Sequence, residues 1–376
     1  MHDFDERTQR ASTPQHRSKR NDAAVTRNPN QQRHARYVSA LSPEQRSYYE
    51  QILTAHPETD PAEALETAAS SRKLTLEDQR AIIQAREKIA SMKPRRIDDG
   101  SNPNLVQLEI SFDGTWNARD EMAFDTNAAL VGDLFAGETH YQKGVGTDPG
   151  TALIGGVTGA GISTRIDDAF MALVTKINEL KRANPSAEVV LIIAGFSRGA
   201  TAARAFANKL ERHGIPDLSS AHADGRYTRH HETPRIGVMI LFDTVGSVGI
   251  PGNNINSGLD LSIPARAENV LHLTARDEKR WAFPLSSAID PARPDDDRIT
   301  EIELPGAHSD VGGSYPNRYS KLQLQIAHEY MEQRGVHVKP LEPGAVPDPA
   351  DSDLRLHDSG APLLDRKRAV YASQNR

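Results

Sequence analysis

The sequence predicts an α/β fold: a mainly parallel sheet with helices on both faces, preceded by a small helical region and a disordered basic tail. Three observations carry that prediction. Residues 189–194 form an unalternating apolar run rich in β-branched side chains, the pattern of a strand buried on both faces. The run ends in Gly195-Phe196-Ser197-Arg198-Gly199, and residues 200–207 then read as a helix. Strand-like runs alternate with helical patterns from Leu105 to Gln333, which is how parallel strands are connected.

At 376 residues the chain has room for one large α/β domain with an appendage, or for two small domains. A net charge of −6 and a pI near 6.2 argue against a dedicated nucleic-acid binder. With no cysteine, disulfides, cysteine-ligated zinc and thiol catalysis are excluded. The first residues lack the apolar stretch of a cleaved leader, and no run approaches the roughly 18 apolar residues of a membrane span. The expectation is a chain made in the cytoplasm without a signal peptide.

Taken in order, residues 1–36 are polar, with basic residues in excess, and are expected to be disordered. Residues 37–97 form the helical region. Ser42-Pro43-Glu44, Asp60-Pro61-Ala62-Glu63 and Thr75-Leu76-Glu77-Asp78 each carry a helix start signal, and Ile82, Ile83 and Ile89 follow at helical spacing. A turn-rich linker at residues 97–103 marks the boundary of a catalytic domain spanning 98–340. Within it, residues 105–112, 139–142, 236–242, 270–274 and 299–304 read as strands. Residues 127–135, 163–181 and 320–333 read as helices, the second capped by Ser163. Residues 143–161 form a glycine-rich loop that suits a mobile apolar cover and lacks the Gly-Lys-Ser/Thr of a phosphate-binding loop. Residues 341–376, rich in Pro and Asp, are expected to lack regular structure.

In such sheets ligands bind at the carboxyl ends of the strands, and four motifs fall there. Ser197 sits in the strand–turn–helix context of a nucleophile elbow, whose next N–H, that of Arg198, can face an oxyanion. Asp243 ends the 236–242 strand, and His308 follows the last strand in Gly306-Ala307-His308-Ser309-Asp310. The chain order Ser197, Asp243, His308 is that of α/β-hydrolases. Serine needs a base to take its proton, which His308 would supply while Asp243 holds the imidazole tautomer. Asp310 and Asp277 are rivals for the acid, and either could instead support a loop. Asp113-Gly114-Thr115, after the first strand, offers the Gly114 or Thr115 N–H as a second oxyanion donor. Asp113 itself would fix that loop, touch a polar head group or cap a turn. The same segment resembles the Asp-x-Asp-Gly-Thr of haloacid-dehalogenase phosphatases, but Ser111 stands where their nucleophilic aspartate would be. The chemistry expected is ester hydrolysis through an acyl-enzyme, with no cofactor or metal.

Phe112-Asp113-Gly114-Thr115-Trp116-Asn117, Gly144-Val145-Gly146-Thr147, Gly195-Phe196-Ser197-Arg198-Gly199-Ala200, Phe242-Asp243-Thr244-Val245-Gly246 and Gly306-Ala307-His308-Ser309-Asp310-Val311-Gly312-Gly313 resemble, in order, the motifs of the type VI lipase effectors. Asp277-Glu278-Lys279-Arg280 with Phe283 resembles that family's Asp-Glu-x-Arg segment, and the likeness covers about residues 105–330. The resemblance implies a phospholipase with a triad of Ser197, Asp243 and His308, acting on the phospholipid membrane as substrate. It also implies delivery into target cells by a type VI system, with an immunity protein and a secretion component as partners. The alternatives are an esterase or thioesterase on small soluble substrates, and a non-catalytic adaptor for a secretion or immunity partner.

Overall fold

The computed structural model describes residues 29–57, 59–119, 125–147, 161–247, 258–316, 318–359 and 368–372. Six parallel strands make the central sheet: β1 (Leu105–Phe112), β2 (Glu138–Gln142), β3 (Glu188–Phe196), β4 (Arg235–Phe242), β5 (Val270–Ala275) and β6 (Ile299–Leu304). Their spatial order is β6-β5-β4-β3-β1-β2, every neighbouring pair being parallel. The chain runs from β1 outward to β2 and returns to β3 on the other side of β1. A switch point therefore lies between the ends of β1 and β3, where such sheets open a crevice.

Side chains along the central strand pack alternately on the two faces of the sheet, because successive ones point to opposite sides. Leu191 and Ile193 pack with helices α6 (Ile162–Ala183) and α7 (Arg198–His213). Val190, Ile192 and Ala194 pack with α4 (Leu76–Ser91), α5 (Asn127–Leu134) and α9 (Ser320–Gln333). Both faces of the sheet are thus covered, and β3 is apolar and buried from Val189 to Phe196 because neither face meets water. Among the described residues no helix is long and apolar enough to cross a membrane.

The start signals before the sheet coincide with observed helix starts. Ser42 caps α2 (Pro43–Ala55) in a capping box with Gln45, Asp60 accepts from the Ala62 N–H at the head of α3 (Pro61–Ser70), and Thr75 with Asp78 caps α4. The described residues of 42–376 cluster into one compact unit, so the linker at 97–103 is a connection inside it. The reason is the apolar stripe of α4: Ile82 packs with Tyr319, Leu322 and Leu356, and Ile89 packs with Ile97 against the sheet.

Three local expectations differ from the structure. Residues 29–40, in part assigned to a disordered tail, form helix α1 (Pro29–Ala40); the earlier residues lie outside those described. The long helix is capped by Gly161, at φ 96°, and not by Ser163; left-handed backbone there suits a residue without a Cβ. Past Pro340 the described residues are mostly irregular, but Arg355–His357 pair with Ser71–Lys73, and Val370–Tyr371 pair with Leu285–Ser286. The proposed mobile cover lies largely outside the described residues, though Gly144 is held where an added Cβ would come within 1.7 Å of the Gly114 carbonyl oxygen.

Candidate active site

Ser197 occupies the tight turn from β3 into α7 with φ 59° and ψ −124°, a backbone state that costs a non-glycine residue about 1–3 kcal/mol. Neighbouring strands enforce it. The Ser197 N–H donates to the Phe242 carbonyl at 3.0 Å, and the Ser197 carbonyl accepts from the Val245 N–H at 3.2 Å. Its flanking glycines are steric necessities: a Cβ on Gly195 would lie 2.7 Å from Ala200 Cα, and one on Gly199 would lie 2.2 Å from the Phe112 carbonyl oxygen. The helix can therefore start directly above the end of β1, and Ser197 is carried to the carboxyl edge of the sheet.

Asp243 leaves β4 at φ 40° and is fully buried. Its Oδ2 accepts from His308 Nδ1 at 2.6 Å, and its Oδ1 from the Ala275 N–H at 2.9 Å. The Arg368 guanidinium adds a two-pronged contact, Nη1 to Oδ1 at 3.0 Å and Nη2 to Oδ2 at 2.7 Å. Burial would raise the pKa of this carboxyl; the Arg368 cation and His308 overcome it and hold the group well below the usual carboxylate range. Asp243 is therefore an anion that can only accept.

That fixes the tautomer of His308, because Nδ1 must carry the proton it donates to Asp243, leaving the Nε2 lone pair as an acceptor. Among the described residues Nε2 has no hydrogen-bond partner, although it is buried. The ring lies 4.6 Å from that of Phe196 and 5.2 Å from that of Phe283, centroid to centroid, and the His308 N–H donates to Glu278 Oε2 at 3.2 Å. Burial lowers the imidazole pKa, against the opposing pull of Asp243 and Glu278. A buried neutral imidazole with an unused lone pair is a base in waiting.

The other acidic candidates have different partners. Asp310, on helix α8 (His308–Gly312), is fully buried and engages His357: Oδ1 accepts from Nδ1 at 2.8 Å and Oδ2 from the His357 N–H at 2.7 Å. Oδ2 also accepts from the Ala307 N–H at 2.9 Å, so Asp310 braces the turn into His308. Asp277 accepts from Arg72 at 3.0 Å and from the Gly306 N–H at 2.9 Å, tying the same turn to the segment before α4. Asp113 takes Tyr141 Oη at 2.6 Å, Thr126 Oγ1 at 2.7 Å and the Gly114 N–H at 2.7 Å. Burial raises its pKa, and at 4% exposure it is a loop brace, not a head-group contact.

Of the two further oxyanion candidates, Gly114 thus already donates to Asp113, which favours Thr115. The Arg198 N–H opens α7, and the Arg198 side chain ties the two loops together through Nη1 to Thr115 Oγ1 at 3.2 Å and Nε to the Ser247 carbonyl at 3.2 Å. A void of about 10 Å³ lined in part by Asp113 and Arg198 adjoins this corner, whereas a 590 Å³ surface cavity between Ala265 and Arg298 shares no residue with it. Among the described residues no cluster of three or more His, Asp or Glu could hold a metal ion.

Sequence reading did not find Arg368, His357 or the His272 support. His272 Nδ1 donates to Glu301 at 2.8 Å and its Nε2 accepts from the Thr244 N–H at 3.1 Å, beside Asp243. Arg368 sits in a Pro- and Asp-rich tail with no local pattern to single it out.

With these residues located, comparison with known proteins is decisive. The family model described as the type VI secretion phospholipase effector Tle1-like catalytic domain matches residues 107–225 and 216–334, more than half of the chain. The chain belongs to that family. Structures similar to this Tle1-like domain include an uncharacterized protein from Pseudomonas aeruginosa, at 21% identity and TM-score 0.49, covering 70% of this chain and 50% of that one. Another is a Tle1 effector bound to the VgrG spike of a type 6 secretion system, at 26% identity and TM-score 0.42, covering 61% and 53%. A thermostable carboxylesterase, EstE1, from a metagenomic library matches at 10% identity and TM-score 0.30, covering 70% and 97%. The chain spans about half the length of the first two. No curated protein sequence matches.

Proposed function

We propose that this Tle1-like chain is a serine hydrolase that cleaves carboxylic ester bonds of glycerophospholipids through Ser197, His308 and Asp243. The observation that carries the proposal is the His308 Nδ1–Asp243 contact at 2.6 Å, with Nε2 left unpartnered, at the same sheet edge as the strained Ser197 turn. His308 Nε2 takes the Ser197 hydroxyl proton as Oγ bonds to the ester carbonyl carbon. The resulting oxyanion is met by the N–H groups of Arg198 and Thr115. Collapse breaks the ester C–O bond, His308 returns the proton to the leaving alkoxide, and water then releases the fatty acid from the acyl-enzyme by the same route.

Family membership supports delivery by a type VI apparatus, with one of its components as partner, as the biological setting; an immunity protein is part of the same proposal. The test is mass-spectrometric analysis of phospholipid liposomes incubated with wild type or Ser197→Ala. Lysophospholipid and free fatty acid should accumulate only with wild type. Turnover of short p-nitrophenyl esters with intact liposomes would instead assign a small-molecule esterase.

A further inference from the structure

We propose that Arg368, in the C-terminal tail, is a positioning residue for the reaction, clamping both oxygens of the Asp243 carboxylate that His308 engages; this rests on the hydrolase reading above. The Asp243 carboxylate has about four acceptor positions, and all are filled: Ala275 N–H and Arg368 Nη1 on Oδ1, His308 Nδ1 and Arg368 Nη2 on Oδ2. A carboxylate held by three separate chain segments cannot rotate away from the imidazole. The guanidinium is planar and its fork matches a carboxylate, a fit that lysine cannot reproduce.

Arg368 is itself built in. Its side chain is only 7% exposed, Nε donates to the Phe283 carbonyl at 2.6 Å, and Nη1 also donates to the Ala275 carbonyl at 3.2 Å. The neighbouring backbone is anchored by Leu285 N–H to the Ala369 carbonyl at 2.9 Å and Ser287 N–H to the Tyr371 carbonyl at 2.8 Å. Because Phe283 also stacks near His308 and under Arg280, one tail residue fixes both the acid and a ring beside the base.

The electrostatic consequence follows from who faces whom. His308 sees the anions Asp243 and Glu278 and the cation Arg280; Asp243 sees Arg368, His308 and, at longer range, Arg280. Neutralising Asp243 with Arg368 weakens its pull on a proton at His308, keeping the imidazole a free base. Without Arg368 the buried carboxylate would either draw a proton onto His308 or take one itself. Either change moves the acid limb of the pH–rate profile to higher pH.

The experiment compares full-length wild type, Arg368→Met and Arg368→Lys on a soluble p-nitrophenyl ester, with circular dichroism to establish folding. Arg368→Met should lower kcat about 10- to 100-fold with KM little changed, the scale of a misplaced catalytic geometry. Its acid limb should move upward, and Arg368→Lys, which keeps the charge but not the fork, should restore the limb more fully than kcat. If Arg368→Met does not fold, the lysine variant alone decides: reduced kcat with a near wild-type limb supports the role, and unchanged kcat overturns it. A folded methionine variant with wild-type kcat and pH profile also overturns it. Wild type with no ester turnover would remove the underlying reading, which separates the two failures.

Discussion

Replacing Asp310 and Asp243 separately by asparagine should separate a loop brace from an acid that orients the base. Asp310 accepts three hydrogen bonds, two from backbone N–H groups on Oδ2 and one from His357 Nδ1 on Oδ1. An asparagine oxygen placed at Oδ2 keeps the two backbone bonds but turns its NH2 toward His357 Nδ1. His357 must then shift its proton to Nε2, which is buried and has no partner among the described residues. The loss is one charge-assisted bond, about 1.5–3 kcal/mol of stability, with little change at His308. Asp243→Asn turns the wrong group toward His308 and should lower kcat by about 10⁴. Urea unfolding followed by circular dichroism gives the stability difference, and kcat on a soluble ester, measured well below the unfolding midpoint, gives the chemistry. An Asp310→Asn protein that is fully folded yet loses as much kcat as Asp243→Asn would exchange the two roles.

Expression of residues 101–376 alone, which lacks α4, should give insoluble protein. Ile82 and Ile89 are fully buried against the rest of the unit, and their removal bares its surface; a soluble, active truncation would show that this packing is not needed. Glu109, buried on β1, is pushed up to about 8 by burial from an ordinary 4.5 and is neutral at pH 7. Its folded pKa is raised, so the stability linked to it is full below about 4.5 and is lost as pH rises through about 8. Glu109→Gln should flatten that alkaline loss, read as urea midpoints at pH 6 and pH 9; equal slopes for both proteins would contradict it.

Much of the fold was legible because its signals are local. The caps at Ser42, Asp60 and Thr75 satisfy backbone donors within three residues, and strands 105–112 and 299–304 are bounded by turn residues. Ser197, Asp243 and His308, the residues proposed as the triad, stood out in the sequence because each ends a strand or follows one closely. Which acid faces which histidine could not. Asp310 is two residues from His308 in sequence, but it turns toward His357, 47 residues on, because its side chain caps the turn that presents His308. Arg368 was illegible for the same physical reason. Its partners Asp243 and Phe283 are 125 and 85 residues away, and the pairing of Val370–Tyr371 with Leu285–Ser286 brings them together. The separateness expected of the N-terminal helices rested on a turn-rich linker, a signal that cannot show that α4 folds back onto the sheet.

The measurement that tests the central claim most directly is labelling of the intact protein with a fluorophosphonate probe, followed by peptide mapping. The adduct should fall on Ser197 alone, and Ser197→Ala, His308→Ala and Asp243→Asn should abolish or greatly slow it while remaining folded. Labelling at another serine, or undiminished labelling of Ser197 in the His308→Ala protein, would contradict the assignment.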